Sequence, residues 1–181
     1  LCLWLKELGA NITGYSLPLN DKNHHFASLN LPIKNYYQDL NNYEHLYNAL
    51  QESQPDIVFH LAAQPLVRES YQNPIQTFQT NLIGTLNLYE ICTKISSIKA
   101  IVSITTDKVY QNKEWYWGYR EIDRLGGNDP YSASKACVEI MTESFRKSFL
   151  KENPILLATA RAGNVIGGGD WAEDRLIPDI M

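Results

Sequence analysis

The chain has 181 residues, 44% of them hydrophobic, and a formal charge of −4. That length and apolar share suit one domain with a full core, and so mild a negative charge supplies no attraction for nucleic acid or for an acidic membrane surface. No apolar run approaches the length of a membrane span, and Cys2, Cys92 and Cys137 lack CxxC spacing, which argues against a disulfide framework or a zinc site and fits a reducing cytoplasm.

Residues 1–8 have helical apolar spacing with Gly9 as the stop, and ANITGY, 10–15, follows as a strand. Residues 16–32 are polar, contain Pro18 and Pro32, and read as a loop. IKNYYQDL predicts a strand ending at Asp39. The next stretch sets Tyr43, Leu46, Tyr47 and Leu50 at helical spacing before Pro55. DIVFHLAA, 56–63, is a continuous apolar run of the kind found in a strand buried on both faces. A loop and a long helix over about 74–94 come next, then a second such run, IKAIVSITT, 98–106. Asp129 as N-cap and Pro130 at the first helical position open another helix, on which Met141, Phe145 and Phe149 are core candidates. ILLATARA, 155–162, is the last predicted strand. Strands alternating with helices imply right-handed crossovers and a doubly wound parallel α/β sheet, with no internal repeat and no interdomain linker.

In such a sheet, ligands bind at the carboxyl ends of the strands. The segments Asp39-Leu40, 62–64 (AAQ), 105–108 (TTDK) and 161–164 (RAGN) each follow a predicted strand, which points to one shared site. Tyr131 and Lys135 stand at i and i+4, so one helix face presents both to the same ligand. A phenol is a poor base near neutrality, but an adjacent ammonium and the positive end of a helix favour the phenolate, as proton removal from an alcohol during hydride transfer requires. YxxxK alone occurs often by chance, and on that pattern alone two polar residues on a solvated helix face are the simpler reading.

The surrounding motifs change the balance. HLAAQPLVRESYQNP, TFQTNLIGTLNLYE, TTDKVY, DPYSASKACVE and ARAGNVIGGGDW together resemble the extended short-chain dehydrogenase/reductase family, over essentially the whole chain. More narrowly, the segments at 112–136 and 159–180 are similar to that family's nucleotide-sugar 4,6-dehydratases, in the branch that acts on CDP-glucose. The resemblance implies a Rossmann-like fold with NAD bound throughout, a nucleotide-sugar substrate, a homo-oligomer when complete, and neither nucleic acid nor membrane as partner. It implies that Tyr131 removes the C4 hydroxyl proton, Thr106 binds the C4 oxygen, Lys135 holds the cofactor ribose and tunes Tyr131, and Asp107 protonates the departing C6 hydroxyl. Lys108 stands where the dTDP-glucose enzymes have a glutamate as the C5 base. It is therefore placed in the elimination step with its protonation state open.

The resemblance further implies Asp39 and Leu40 near adenine, Leu61, Ala62, Ala63 and Gln64 along the dinucleotide, Thr80 beneath it, and Asn164 and Arg175 toward substrate. It also implies a glycine-rich pyrophosphate turn, which this sequence lacks; Gly167 to Gly169 is no P-loop, since no lysine and serine or threonine follow. The chain is accordingly expected to be a partial NAD-binding domain, incomplete at both ends, with the substrate-binding region starting near 164–181. By itself it is expected to bind NAD poorly and to be inactive.

Plainer roles stand beside these. His60 reads as a hydrogen-bonded core residue, His24 and His25 have no ligand partners at metal-binding spacing, and no metal is expected. Asp39 doubles as a helix-cap candidate, Asn81 as a structural tie between strands, and Trp115, Trp117 and Tyr119 either as apolar cover or as a wall of the substrate pocket. A 4-epimerase or GDP-mannose dehydratase of the same family, or a noncatalytic dinucleotide-binding module, are the alternative functions. An epimerase needs only Tyr131, Lys135 and Thr106, so Asp107 and Lys108 argue against it.

Overall fold

The computed structural model describes residues 1–18, 25–170 and 176–180. The chain divides into two units, Leu1–Gln38 together with Asn164–Met181, and Asp39–Gly163.

In the first unit, helix α1 (Cys2–Glu7) ends ahead of Gly9, whose φ of 85° is the left-handed conformation that glycine adopts without a steric penalty. Strand β1 (Thr13–Ser16) runs parallel to β2 (Lys34–Tyr37), with Tyr15 opposite Tyr36. Within the expected loop lies a single helical turn, α2 (His25–Ser28), where the Ser28 hydroxyl donates to the His25 carbonyl at 2.7 Å. This local side-chain bond, rather than any apolar period, organises the turn. Helix α8 (Leu176–Ile180) completes the unit.

The second unit holds a three-stranded parallel sheet in the order β3 (Ile57–His60), β4 (Ala100–Thr106), β5 (Leu156–Ala162). Helix α3 (Tyr43–Ser53) precedes it, capped by the Asn42 side chain, which accepts from the His45 N–H at 3.1 Å. Asp39 is therefore not the cap. Its carboxylate turns to Asn41 instead, accepting from the backbone N–H at 2.7 Å and the side-chain amide at 3.0 Å.

A short helix, α4 (Val67–Gln72), occupies what reads as loop, too brief to show an apolar period. Pro74 then opens α5 (Pro74–Phe78), which passes through a π-helical turn (Gln79–Ile83) into α6 (Gly84–Cys92). The long helix expected over 74–94 is thus real but carries a change of hydrogen-bond pattern at its middle, a feature that often marks functional positions. Helix α7 (Pro130–Phe149) starts as its residues dictate. The Asp129 carboxylate accepts from the Ser132 N–H at 2.9 Å, and proline sits in the first turn where its missing N–H costs nothing.

Register explains which side of this sheet is core. Phe59 lies opposite Val102, which lies opposite Ala158, while Thr105 lies opposite Arg161. Strand residues alternate faces, so His60, Ser103, Thr105 and Arg161 share the face on which α6 and α7 pack. Ile57, Phe59 and Leu156 lie on the other face and remain 52%, 38% and 74% exposed. The run 56–63 is consequently not buried on both faces as its composition predicts. On the covered side, Tyr89, Ile91, Ile101, Val109 and Val138 are almost wholly buried. Of the α7 core candidates, Phe145 is buried and stacks at a tilt on Tyr89, whereas Phe149 is 65% exposed at the helix end.

Among the described residues no helix is long and apolar enough to cross a membrane, and no group of three or more His, Cys, Asp or Glu is placed to hold a metal. Burial pushes the Cys92 thiol up to about 12, leaving it an unreactive core residue.

Candidate active site

Strand β4 delivers Thr106 to the carboxyl edge of the sheet, buried, and the chain turns at once into a 3-10 helix, Asp107–Val109. The Thr106 hydroxyl accepts from the Lys108 N–H at 3.3 Å and donates to the Asp107 carboxylate at 3.2 Å. The turn exposes the Asp107 and Lys108 side chains while Val109 anchors it in the core. At the end of β5, Gly163 comes so near that a Cβ added there would lie 3.5 Å from the Asp107 carboxylate.

Helix α7 packs over this turn. Lys135 is buried and donates to the Ile104 carbonyl at 3.1 Å, two residues before Thr106. Burial pulls its ammonium down to about 8, offset in part by the Glu139 charge. One turn nearer the helix start, Tyr131 is half-buried. Its N–H donates to the Ser70 hydroxyl at 3.2 Å and its carbonyl accepts from Ser134 at 2.7 Å.

The loop after β3 is held by one buried amide. Asn81, in the π-helical turn, accepts from the Gln64 N–H at 2.8 Å, donates to the Gln64 carbonyl at 3.1 Å, and donates to the Ser134 hydroxyl at 2.9 Å. It therefore joins the β3 loop to α7 beside Tyr131, rather than linking strand to strand. Gln64 also braces its own loop, donating to Thr77 at 2.9 Å and the Leu66 carbonyl at 3.1 Å. Leu61 and Ala62 are exposed and Ala63 is half-buried. Asp39 and Thr80 line a cavity of about 660 Å³ with Asn41, Gln76, Gln79 and Ile83. Leu40 lies beneath, buried against Gly84, where an added Cβ would come within 2.7 Å of its methyl group.

Asn164 is exposed and belongs to the other unit, and Arg175 and His24 lie outside the described residues. Trp115 and Trp117 are 45% and 77% exposed, so they are not cover for the core. They line a second cavity of about 440 Å³ with Gly118, Arg120 and Asp123.

His60 is a core residue. Its Nε2 lies 2.8 Å from the Thr85 hydroxyl, which itself donates to the Asn81 carbonyl at 2.6 Å, so the neutral ring must donate from Nε2. Burial, helped by the Lys135 charge, holds the imidazole down to about 3. Between about pH 3 and the ordinary value of 6.5 the unfolded chain takes up a proton that the folded chain refuses. Stability therefore climbs with pH across that window, by an upper bound of roughly 5 kcal/mol. His60→Gln, which keeps a donor for Thr85 but cannot titrate, is expected to flatten urea-unfolding stability between about pH 4 and 6.5. An unchanged slope would remove His60 from the acid response.

A parallel α/β sheet that presents threonine at a strand end, followed by a helix bearing Tyr131 and Lys135, defines an extended short-chain dehydrogenase/reductase of the epimerase and dehydratase group. The sequence profile described as GDP-mannose 4,6 dehydratase matches residues 12–156, and the chain belongs to that family. It is 50% identical to the CDP-glucose 4,6-dehydratase of Salmonella typhimurium, over 100% of this chain and 52% of the Salmonella enzyme. The chain thus spans about half the length of this curated relative. Among solved structures, the UDP-glucose 4-epimerase of Thermus thermophilus in complex with NAD superposes with a TM-score of 0.82 at 26% identity, covering 96% of this chain and 54% of that one. The dTDP-glucose 4,6-dehydratase of Streptomyces venezuelae, with NAD and TYD bound, shares the fold at a TM-score of 0.73 and 23% identity, over 83% and 44%.

Proposed function

We propose that the chain carries the catalytic centre of an NAD-dependent lyase that converts CDP-glucose to CDP-4-keto-6-deoxyglucose. The observation that carries this reading is the 3-10 turn at the end of β4. It sets an exposed acid, Asp107, and an exposed amine, Lys108, directly after Thr106, on the strand end against which α7 buries Lys135. Proton traffic at C4 alone needs no such pair, whereas loss of water across C5 and C6 needs both a proton donor and a proton acceptor. The 50% identity to the Salmonella CDP-glucose enzyme supports the choice of substrate.

The donor set around the 660 Å³ cavity suits the adenosine half of a dinucleotide: the Asp39 carboxylate for ribose hydroxyls, carboxamides for the adenine edge, and Ile83 for the ring face. Leu40, Leu61 to Gln64 and Thr80 would border the same group, and Lys135 would hold its second ribose. Held there, NAD would supply a hydride acceptor for C4 and the hydride donor for C6 after loss of water. Tyr131 as its phenolate, favoured by the adjacent Lys135 ammonium below about pH 8, accepts the C4 hydroxyl proton and becomes the neutral phenol. Thr106 donates to the C4 oxygen once its hydroxyl turns from the Asp107 carboxylate. The resulting ketone acidifies the C5 proton, Lys108 serves the elimination, and Asp107 protonates the C6 hydroxyl as it leaves. Asn164 and Arg175 are assigned to substrate.

Asp107→Asn separates these roles. In full-length protein given CDP-glucose for a single turnover, the variant is expected to form the 4-keto hexose at a rate within about tenfold of the parent. It should release 4-keto-6-deoxyhexose more than about 100-fold more slowly, the usual reach of a general acid. Equal loss of both steps, by mass spectrometry of quenched samples, would sink the assignment of Asp107. Recovery of a C4-epimerised hexose from the parent protein would replace the dehydratase with an epimerase.

A further inference from the structure

We infer that Arg161 is a positioning residue that fixes the aromatic segment around Trp115 to the helix bearing Tyr131 and Lys135. The identity of the ligand served rests on the dehydratase reading; the coupling does not. Arg161 occupies the next-to-last position of β5, opposite Thr105, on the sheet face covered by α7. Its side chain is 17% exposed and that of Glu139 is 5% exposed. One guanidinium nitrogen donates to the Glu139 carboxylate at 2.8 Å. Another donates to the Tyr110 hydroxyl at 2.9 Å and to the Glu121 carbonyl at 3.1 Å. The guanidinium carbon also lies 5.0 Å from the Tyr110 ring centre.

From there the contacts are aromatic. Tyr110 stacks on Tyr119 at 5.1 Å and 13°, and Tyr119 meets Trp115 at 5.6 Å. The Tyr119 hydroxyl closes the segment on itself, accepting from the Lys113 N–H at 2.7 Å and donating to Asn112 at 3.1 Å. On the other side, Glu139 stands one helical turn beyond Lys135, and its carboxylate also takes the hydroxyls of Thr105 and of Thr159, the latter at 3.1 Å. Burial alone would raise the Glu139 carboxyl, yet Arg161 and these hydroxyls outweigh it and keep it below the usual carboxylate range. A planar fork thus joins α7, through a buried carboxylate, to the wall of the 440 Å³ cavity, through two stacked rings.

Lysine at 161 would keep one charge for Glu139 but has no fork to reach Tyr110 and Glu121 at the same time. Arg161→Lys therefore tests coupling without leaving Glu139 buried and unpaired, and Tyr110→Phe removes a single hydroxyl should Arg161→Lys fold poorly. In full-length protein labelled with 5-fluorotryptophan, the Trp115 resonance, identified by its loss in Trp115→Phe, is expected to shift or broaden in both variants, with circular dichroism unchanged. With CDP-glucose, both should raise KM about tenfold and lower kcat no more than about threefold. An unmoved Trp115 resonance overturns the proposal, as does a moved resonance with unchanged KM. If the parent turns over no nucleotide sugar, the dehydratase reading fails instead, and the resonance alone decides the coupling.

Discussion

Tyr131→Phe is expected to reduce turnover of CDP-glucose in the full-length protein by about a thousandfold, within the range that a general base contributes. The substitution deletes one oxygen and keeps the ring. The helix start keeps its two backbone bonds, the Tyr131 N–H to Ser70 and the Tyr131 carbonyl from Ser134. Secondary structure and the unfolding midpoint should accordingly stay close to the parent's. Lys135 remains tied to the Ile104 carbonyl in the variant, so cofactor affinity is expected to change by less than about threefold, below 1 kcal/mol. Rate measurements under single-turnover conditions, paired with calorimetric titration of NAD, check both halves. A variant that keeps a tenth of the parent rate would mean that another group takes the C4 proton.

The start of α7 was legible in the sequence because its signals are local. Asp129, Pro130 and the i, i+4 spacing of Tyr131 and Lys135 need no tertiary information, and the helix begins where they place it. Strands β4 and β5 were legible as apolar runs for a similar reason. The burial of β3 was not, because composition reports how apolar a strand is and not which of its faces receives a helix. His60 turned inward to Thr85 while Ile57 and Phe59 stayed exposed.

The contacts that brace the site are not legible in the sequence because the partners are distant along the chain. Ser70 meets Tyr131 across 61 positions, and Asn81 meets Ser134 across 53. Glu139 left a fainter trace. It stands four residues past Lys135, so a carboxylate falls on the same helix face as the lysine, and that face is the buried one. Arg161 belongs to the segment ARAGNVIGGGDW, but only the register opposite Thr105 shows that it faces Glu139.

The largest loss of stability is expected from Asn81→Ala. Asn81 is fully buried, and its amide makes three hydrogen bonds, two to the Gln64 backbone and one to the Ser134 hydroxyl. Alanine fills none of that space and leaves the Gln64 N–H and carbonyl without their partner. Each group left unsatisfied costs about 1–3 kcal/mol, so the two together cost roughly 2–6 kcal/mol, against a typical total of about 5–15 kcal/mol for a domain. Ser134 suffers less, since its hydroxyl still donates to the Tyr131 carbonyl. Thr80→Ala, one position earlier on the same π-helical turn, is the control. Thr80 is only half-buried, and its loss should cost less than about 1 kcal/mol. Urea unfolding of both variants gives the comparison, and amide hydrogen exchange at Gln64 localises it, because that N–H should lose its protection in Asn81→Ala and retain it in Thr80→Ala. Equal midpoints for the two variants would mean that the β3 loop keeps its place without Asn81, and that the tie between this loop and the Tyr131 helix is made elsewhere.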